Sequence, residues 1–298
     1  ARWRWHTLAQ ARCPGQGLFD RTPSDAHSGP LECAAVVAAR GVEFRVLNPM
    51  LSTDLSAGVL TLTLSRPDKR NALSSTLIER LLQELERSDL DASVRVVVLR
   101  GAGKDFCAGA DLDELLASVE LDPEVNERTA LRLGAVFTGI RALPKPVIAV
   151  VHGRALAGGA GLATACDIVL AAESAEFGYP EIRRGFVPAM VMAILRRLTG
   201  EKRAFELVTS GRSVGAREAL ELGLVSRVIA DAKLEVAVAE VTTALLAQSA
   251  TAFALTKRLF YEQDGASFTE GIALGARINA LSRTTPDFRA AIAEFLRS

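Results

Sequence analysis

Residues 147–172 read VIAVVHGRALAGGAGLATACDIVLAA. Val147–Val151 is an unbroken apolar run of strand length, preceded by Pro144 and Pro146, and it reads as a strand buried on both faces. From Gly158 the chain turns helical, and Ile168–Ala172 is a second short apolar run. A strand, a glycine-rich turn feeding a helix and then another strand is the grammar of α/β structure with largely parallel pairing.

The same alternation extends outward in both directions. Upstream, Leu60, Leu62 and Leu64 alternate with Thr61 and Thr63 as a half-buried strand does, and Arg66-Pro67-Asp68 breaks the pattern. Leu77, Ile78, Leu81, Leu82 and Leu85 share one helical face, with Thr76 and Glu79 spaced as a capping box. Val94 to Leu99 is another buried strand, closed by Gly101-Ala102-Gly103. Asp111 to Val119 and residues 130–142 read as helices, as does Ala189 to Leu198. Beyond residue 231 the character changes: 232–248, 251–262, 267–282 and 286–297 are all helical, with no strand between them. Three regions are therefore expected: 1–49, a mixed core over 50–230, and a helical module over 231–298. The first region, rich in Pro, Gly and Ser from Pro14 to Pro30, has no sustained period. It reads as a disordered tail, a targeting segment (Arg2, Arg4 and Arg12 precede the first acid, Asp20) or upstream sequence before Met50.

Composition narrows the function classes. Lys+Arg and Asp+Glu both number 35 in 298 residues, so no net field attracts nucleic acid or an anionic membrane. Mean hydropathy is +0.21, yet no apolar run approaches the length needed to span a bilayer. The four cysteines, Cys13, Cys33, Cys107 and Cys166, lack CxxC spacing, so no structural metal is expected and a reduced compartment fits best. That compartment is cytoplasmic, or the mitochondrial matrix should residues 1–49 hold a transit segment.

Several familiar motifs fail on inspection. Gly101-Ala-Gly103-Lys-Asp-Phe106 lacks the third glycine of a dinucleotide fingerprint and the spacing of a phosphate-binding loop. No G-x-S-x-G elbow exists, and His152, the one histidine beyond the first region, reads as a packed residue rather than a base. Two glycine-rich turns remain, Asp105–Asp111 and Gly153–Gly161, each where a strand feeds a helix. Small side chains there let a ligand approach unpaired N–H groups. Two such groups aimed at one oxygen make an oxyanion hole. From spacing alone, closely packed strand–helix turns are the plainer reading.

Taken in order, these blocks resemble the enoyl-CoA hydratase/isomerase (crotonase) family from about Val59 to Phe295. Arg66-Pro67-Asp68-Lys69-Arg70-Asn71-Ala72-Leu73 is similar to its opening signature, and 105–111 and 155–167 to its two oxyanion turns. Phe177-Gly178-Tyr179-Pro180-Glu181 and Gly185-Phe186-Val187-Pro188 are similar to the next block. The resemblance implies a crotonase-like spiral of ββα units with a helical C-terminal trimerisation module. It also implies self-association as trimers or hexamers, and an acyl-CoA thioester ligand, with no cofactor beyond the coenzyme A carried by the substrate. Carried over, the oxyanion donors are the N–H groups of Ala108 and Gly158. Substrate contacts fall on Lys69, Arg70, Ala72, Ala108, Gly109, Ala110, Asp111, Gly158, Gly159 and Pro180.

The catalytic carboxylates depart from the pattern. Family hydratases commonly use two glutamates. The second matches Glu181, but the first falls on Gly161, which transfers no proton. A bacterial methylglutaconyl-CoA hydratase-like group also resembles residues 158–189, glycine and Val187-Pro188-Ala189 included, so hydration by Glu181 is expected. The alternatives are a Δ3–Δ2 enoyl-CoA isomerase or family decarboxylase using Glu181 alone, and a silent acyl-CoA or RNA-binding scaffold. Asp111, Asp113 or Glu114 are candidates to position water, though acids at a helix start are usually caps. Arg183 and Arg184 are candidates to pair with a second carboxylate on the acyl chain.

Overall fold

The computed structural model describes residues 50–297; the expectation for residues 1–49 lies outside them. β1 (Leu51–Ser56) and β2 (Val59–Leu64) form an antiparallel hairpin across Ala57 and Gly58. Both turn residues have positive φ, 47° and 84°, the backbone of the tight hairpin turn whose twist matches the strands. The alternation read in β2 is real, with Leu60, Leu62 and Leu64 buried and Thr61 and Thr63 half-buried. β1 escapes a reading because it is a polar edge strand with only Leu51 buried.

α1 (Ser75–Leu90) then buries Leu77, Ile78, Leu81 and Leu85. Its cap corrects the sequence expectation. Ser74, not Thr76, accepts from the Leu77 N–H at 3.3 Å, and Glu79 pairs across with Arg132. β3 (Val96–Gly101) follows, then α2 (Leu112–Ala117) and α3 (Pro123–Ala142). α3 starts seven residues before the expected 130, because its first two turns are exposed and give no apolar period. β4 (Val147–Val151), β5 (Arg154–Leu156), α4 (Gly158–Ala165), β6 (Ile168–Ala172) and β7 (Glu176–Gly178) come next. After them run α5 (Ala189–Thr199), α6 (Glu201–Ser210), β8 (Ser213–Gly215), α7 (Ala216–Glu221) and β9 (Arg227–Ile229). Four helices end the chain: α8 (Leu234–Leu246), α9 (Ala250–Glu262), α10 (Phe268–Ser282) and α11 (Pro286–Phe295).

The main sheet has the order β1-β2-β3-β4-β6-β9, parallel throughout except at the β1–β2 edge. Central strands are apolar on both faces for a visible reason. Val97, Leu99, Val147 and Ala149 pack into the larger core beneath α1, α3 and α4, while Val96, Val98, Ile148 and Val150 meet Leu234 and Val241 of α8. A second sheet, β5-β7-β8, has β5 parallel to β7. Its three-residue strands are too short to show a period, and the sequence reading missed them. The whole is the mixed α/β fold with a helical C-terminal region that was expected. Among the described residues no single helix is long and apolar enough to cross a membrane.

Candidate active site

Register places the two glycine turns together. Segment 107–110 runs parallel to β5 through a Cys107–Ala155 bridge, and to the 71–73 segment through a Leu73–Ala110 bridge. β5 in turn runs parallel to β7, with Leu156 opposite Gly178. Four chain segments therefore end at one edge, carrying Ala72, Ala110, Gly158 and Glu181. The carboxyl ends of parallel strands are where α/β folds hold ligands.

Small residues are mandatory at this junction. A Cβ on Gly159 would lie 2.2 Å from the Cys107 carbonyl oxygen, and one on Gly109 would lie 2.8 Å from the Ala157 Cβ and 3.4 Å from the Gly158 nitrogen. Ala157, immediately before the helix, takes φ 51°, a conformation that residues with a side chain seldom adopt. Its N–H is anchored on the Gly178 carbonyl at 2.8 Å.

The hydrogen bonds revise the expected donor pair. The Ala108 N–H is committed to the Arg70 carbonyl at 3.0 Å, so the expectation that it serves the hole does not fit this arrangement. At the neighbouring bridge, Leu73 N–H donates to Gly109 and Asp111 N–H donates to Leu73. A parallel ladder sends alternate backbone groups to opposite sides, which turns the Ala110 N–H away from Leu73, toward the β5–α4 turn. Among the described residues it meets no protein acceptor there, and neither does the Gly158 N–H in the first turn of α4. Ala110 and Gly158 thus present the free pair. Sequence could not have chosen Ala110 over Ala108, because only register separates them.

Glu181 lies in a short 3₁₀ turn, Pro180–Arg184, just past β7, and is 8 % exposed. Its Oε2 has no hydrogen-bond partner among the described residues. Burial raises its pKa above the ordinary 4.5, against smaller opposing contributions from its own backbone N–H and the Arg184 charge. Position 161 offers no second carboxylate and no room for one. A Cβ there would meet Val191 Cγ1 at 2.4 Å and Phe137 Cζ at 2.9 Å. Tyr179, 1 % exposed, also has an unpartnered hydroxyl.

The acids at the start of α2 have structural partners. Asp111 caps the Asp113 N–H and binds Arg66 at 2.7 Å, which holds its carboxyl below the usual range. Asp113 binds Lys69 at 2.8 Å, and Glu114 accepts from both the N–H and the hydroxyl of Ser75. Lys69 and Arg70 are exposed on the loop beside the site, and Ala72 is buried with its carbonyl bound to Arg66. Arg183 leans on the Ser210 carbonyl, whereas Arg184 has no ion-pair or hydrogen-bond partner among the described residues. His152 is half-buried, and its Nε2 lies 2.9 Å from the Gly103 carbonyl oxygen. Burial pushes the Cys107 thiol up to about 12, so it is no nucleophile. Among the described residues no cluster of His, Cys, Asp or Glu could hold a metal ion.

Sequence reasoning quoted Asn71 without giving it a task. Fully buried, it accepts from the Arg66 N–H and donates to the carbonyls of Ala102 and Asp105 at 2.8 and 2.7 Å. Arg154 grips Asp105 with two hydrogen bonds, 2.8 and 2.9 Å. Together they fix the turn that carries Ala110 against both neighbours.

Known proteins match on this same framework. The enoyl-CoA hydratase/isomerase family model covers residues 54–296. A Thermus thermophilus chain provisionally called an enoyl-CoA hydratase is 42% identical over 237 residues, 80% of this chain and 94% of its own length. The 2,3-dehydroadipyl-CoA hydratase of Escherichia coli is 36% identical over 241 residues, covering 80% of this chain and 92% of that one. Among solved structures, an enoyl-CoA hydratase from Mycobacterium smegmatis superposes with a TM-score of 0.81 at 36% identity, over 84% of this chain and 97% of the other.

Proposed function

The chain belongs to the enoyl-CoA hydratase/isomerase family, and from that premise we propose that it adds water reversibly across the α,β double bond of a 2-enoyl-CoA thioester. The observation that carries this reading is Glu181: a buried carboxyl with one oxygen unpartnered, at the strand edge where the Ala110 and Gly158 N–H groups are also free. Its carboxylate takes a proton from water as the hydroxyl oxygen bonds to Cβ. The π electrons move onto the thioester oxygen, and the acid form of Glu181 then returns the proton to Cα. One group performs both transfers, so the missing carboxylate at 161 is not required. The two N–H groups hold the enolate oxygen, and each such donor is worth roughly 10²–10³ in rate. General acid–base transfer adds about 10²–10⁴.

The closed space at Gly161 also favours a second reading, a Δ3–Δ2 enoyl-CoA isomerase, in which Glu181 moves one proton between carbons and no water is added. We further propose that Lys69 and Arg70 meet the CoA phosphates, and that Arg184 is available to a second carboxylate on the acyl chain. Self-association through the C-terminal helices is part of the same reading. The expected compartment is cytoplasmic, or matrix-like should residues 1–49 hold a transit segment.

A substrate panel read by mass spectrometry separates the two chemistries. Crotonyl-CoA, 3-methylglutaconyl-CoA and a 3-enoyl-CoA are each incubated with the protein in isotopically labelled water. A 2-enoyl thioester gaining one labelled water is the expected result. Conversion of the 3-enoyl thioester alone, without mass gain, assigns isomerisation. Silence throughout, with thioesters still bound, leaves a scaffold and sinks the enzymatic reading.

A further inference from the structure

Beside Glu181 lies a buried polar group that the chemistry above leaves without a task. Among the described residues the Tyr179 hydroxyl is sealed from solvent and makes no close hydrogen bond, with the Thr164 side chain as its hydrogen-bonding neighbour. Leaving such a group unpaired is costly, and folded proteins seldom do so without a use. Glu181 Oε2 is in the same condition, and the two residues are separated only by Pro180 at the end of β7. They are near enough for the Glu181 charge to bear on the phenol.

The other neighbour of the hydroxyl is Thr164 on α4. Its Oγ1 donates to the Ala160 carbonyl at 2.8 Å, which leaves its lone pairs able to accept. Thr164 lies one helical turn beyond Gly161, so Tyr179 approaches the same stretch of α4 from which a first carboxylate would have projected. Val191 and Phe137 fill the space directly over Gly161. Each of these two polar atoms can take one hydrogen of a small molecule placed between them.

We propose that Tyr179 positions the water that Glu181 deprotonates, supplying through its hydroxyl the second hold that Gly161 does not. The inference rests on the hydratase reading. One hydrogen of the water goes to Glu181 Oε2 and is the proton transferred. The other is accepted by Tyr179 Oη and stays with the oxygen as it bonds to Cβ. Tyr179 keeps its own proton, directed at Thr164 Oγ1, whose proton already points at Ala160. Every donor in the chain then has an acceptor, and the water oxygen keeps a lone pair for the carbon. Tyr179 is a positioning residue, since the proton moves through Glu181 alone.

The test compares two reactions in heavy water. Hydration of crotonyl-CoA needs the positioned water. Deuterium exchange at Cα of saturated butyryl-CoA needs only Glu181 and the oxyanion pair. Tyr179→Phe is expected to lower hydration by about 10²-fold, the scale of a misplaced reactant, and to leave exchange within about twofold. Its melting temperature should change little, since the only protein contact removed is the hydroxyl's hydrogen bond to Thr164. Hydration left intact, or both reactions lost equally, overturns the proposal. Should Tyr179→Phe fail to fold, Thr164→Val reads the same ratio: hydration must fall with exchange preserved. A wild-type protein that neither hydrates nor exchanges overturns the hydratase reading itself, an outcome distinct from a variant whose two rates fail to separate.

Discussion

A carboxyl group shut away from water holds its proton longer than one in solution, and Glu181 is such a group. The sign matters twice. Its raised pKa contributes stability that is fully present below about pH 4.5, the unfolded value, and is lost as pH rises through the folded one. Activity runs the other way, because hydration needs the carboxylate. The acid limb of kcat/KM should therefore lie above 4.5, and Arg184→Ala, which removes the charge opposing the shift, should move that limb to higher pH. A limb that moves down, or not at all, contradicts the assignment. Position 161 gives a second test at this scale. Gly161→Glu should not improve turnover, because the new side chain meets Val191 and Phe137; overpacking of this kind costs about 1–3 kcal/mol and should lower the melting temperature. A faster, equally stable variant would mean the space is open after all. Glu181 itself was legible from the block around it. The free N–H of Ala110 was not, because whether 108 or 110 turns its N–H away from the 71–73 segment is decided by pairing register alone.

Elements were legible in proportion to the length and one-sidedness of their apolar pattern. α1, β4, β6 and the four C-terminal helices announced themselves, whereas β5 and β7 are three residues each and carry no period. Yet β5 and β7 are what bring Gly158 and Glu181 to one edge, so the site's assembly was hidden even where its residues were visible. The attachment of α9 was equally hidden. Lys257, a buried lysine, donates to the carbonyls of Ile140 and Lys145 and to Asp167 Oδ2 at 2.6 Å, while Tyr261 donates to Asp167 Oδ1 at 2.9 Å. Burial raises the Asp167 pKa and lowers that of Lys257, the two effects expected when a pair is taken out of water. Removing one partner leaves the other charge stranded. Lys257→Ala should cost about 3–5 kcal/mol, read as a shift of the urea midpoint at unchanged m-value. A loss below about 1 kcal/mol would show that the network does not anchor α9. Ser74→Ala, which removes the cap of α1, should cost only about 1 kcal/mol by the same measurement.

For the molecule as a whole, the α/β class and the helical C-terminal region followed from the spacing of strand and helix patterns. The sheet order, with its second small sheet, did not, since no local pattern encodes which strands become neighbours. Large apolar side chains remain uncovered on the C-terminal helices, Phe260 at 70 % and Phe268 at 86 % exposure among them. Exposed large apolar side chains on these helices offer an interaction face. The expected partner is a second copy of the chain, and light scattering should give a trimer or a multiple of one; a strict monomer would contradict it. The central claim is that a single carboxylate performs both proton transfers, and Glu181→Gln tests it most directly. Water addition at Cβ of crotonyl-CoA and deuterium incorporation at Cα of butyryl-CoA are measured side by side in the variant. Both should fall together, by about 10²–10⁴-fold. Survival of either reaction would place its proton on another group and contradict the account.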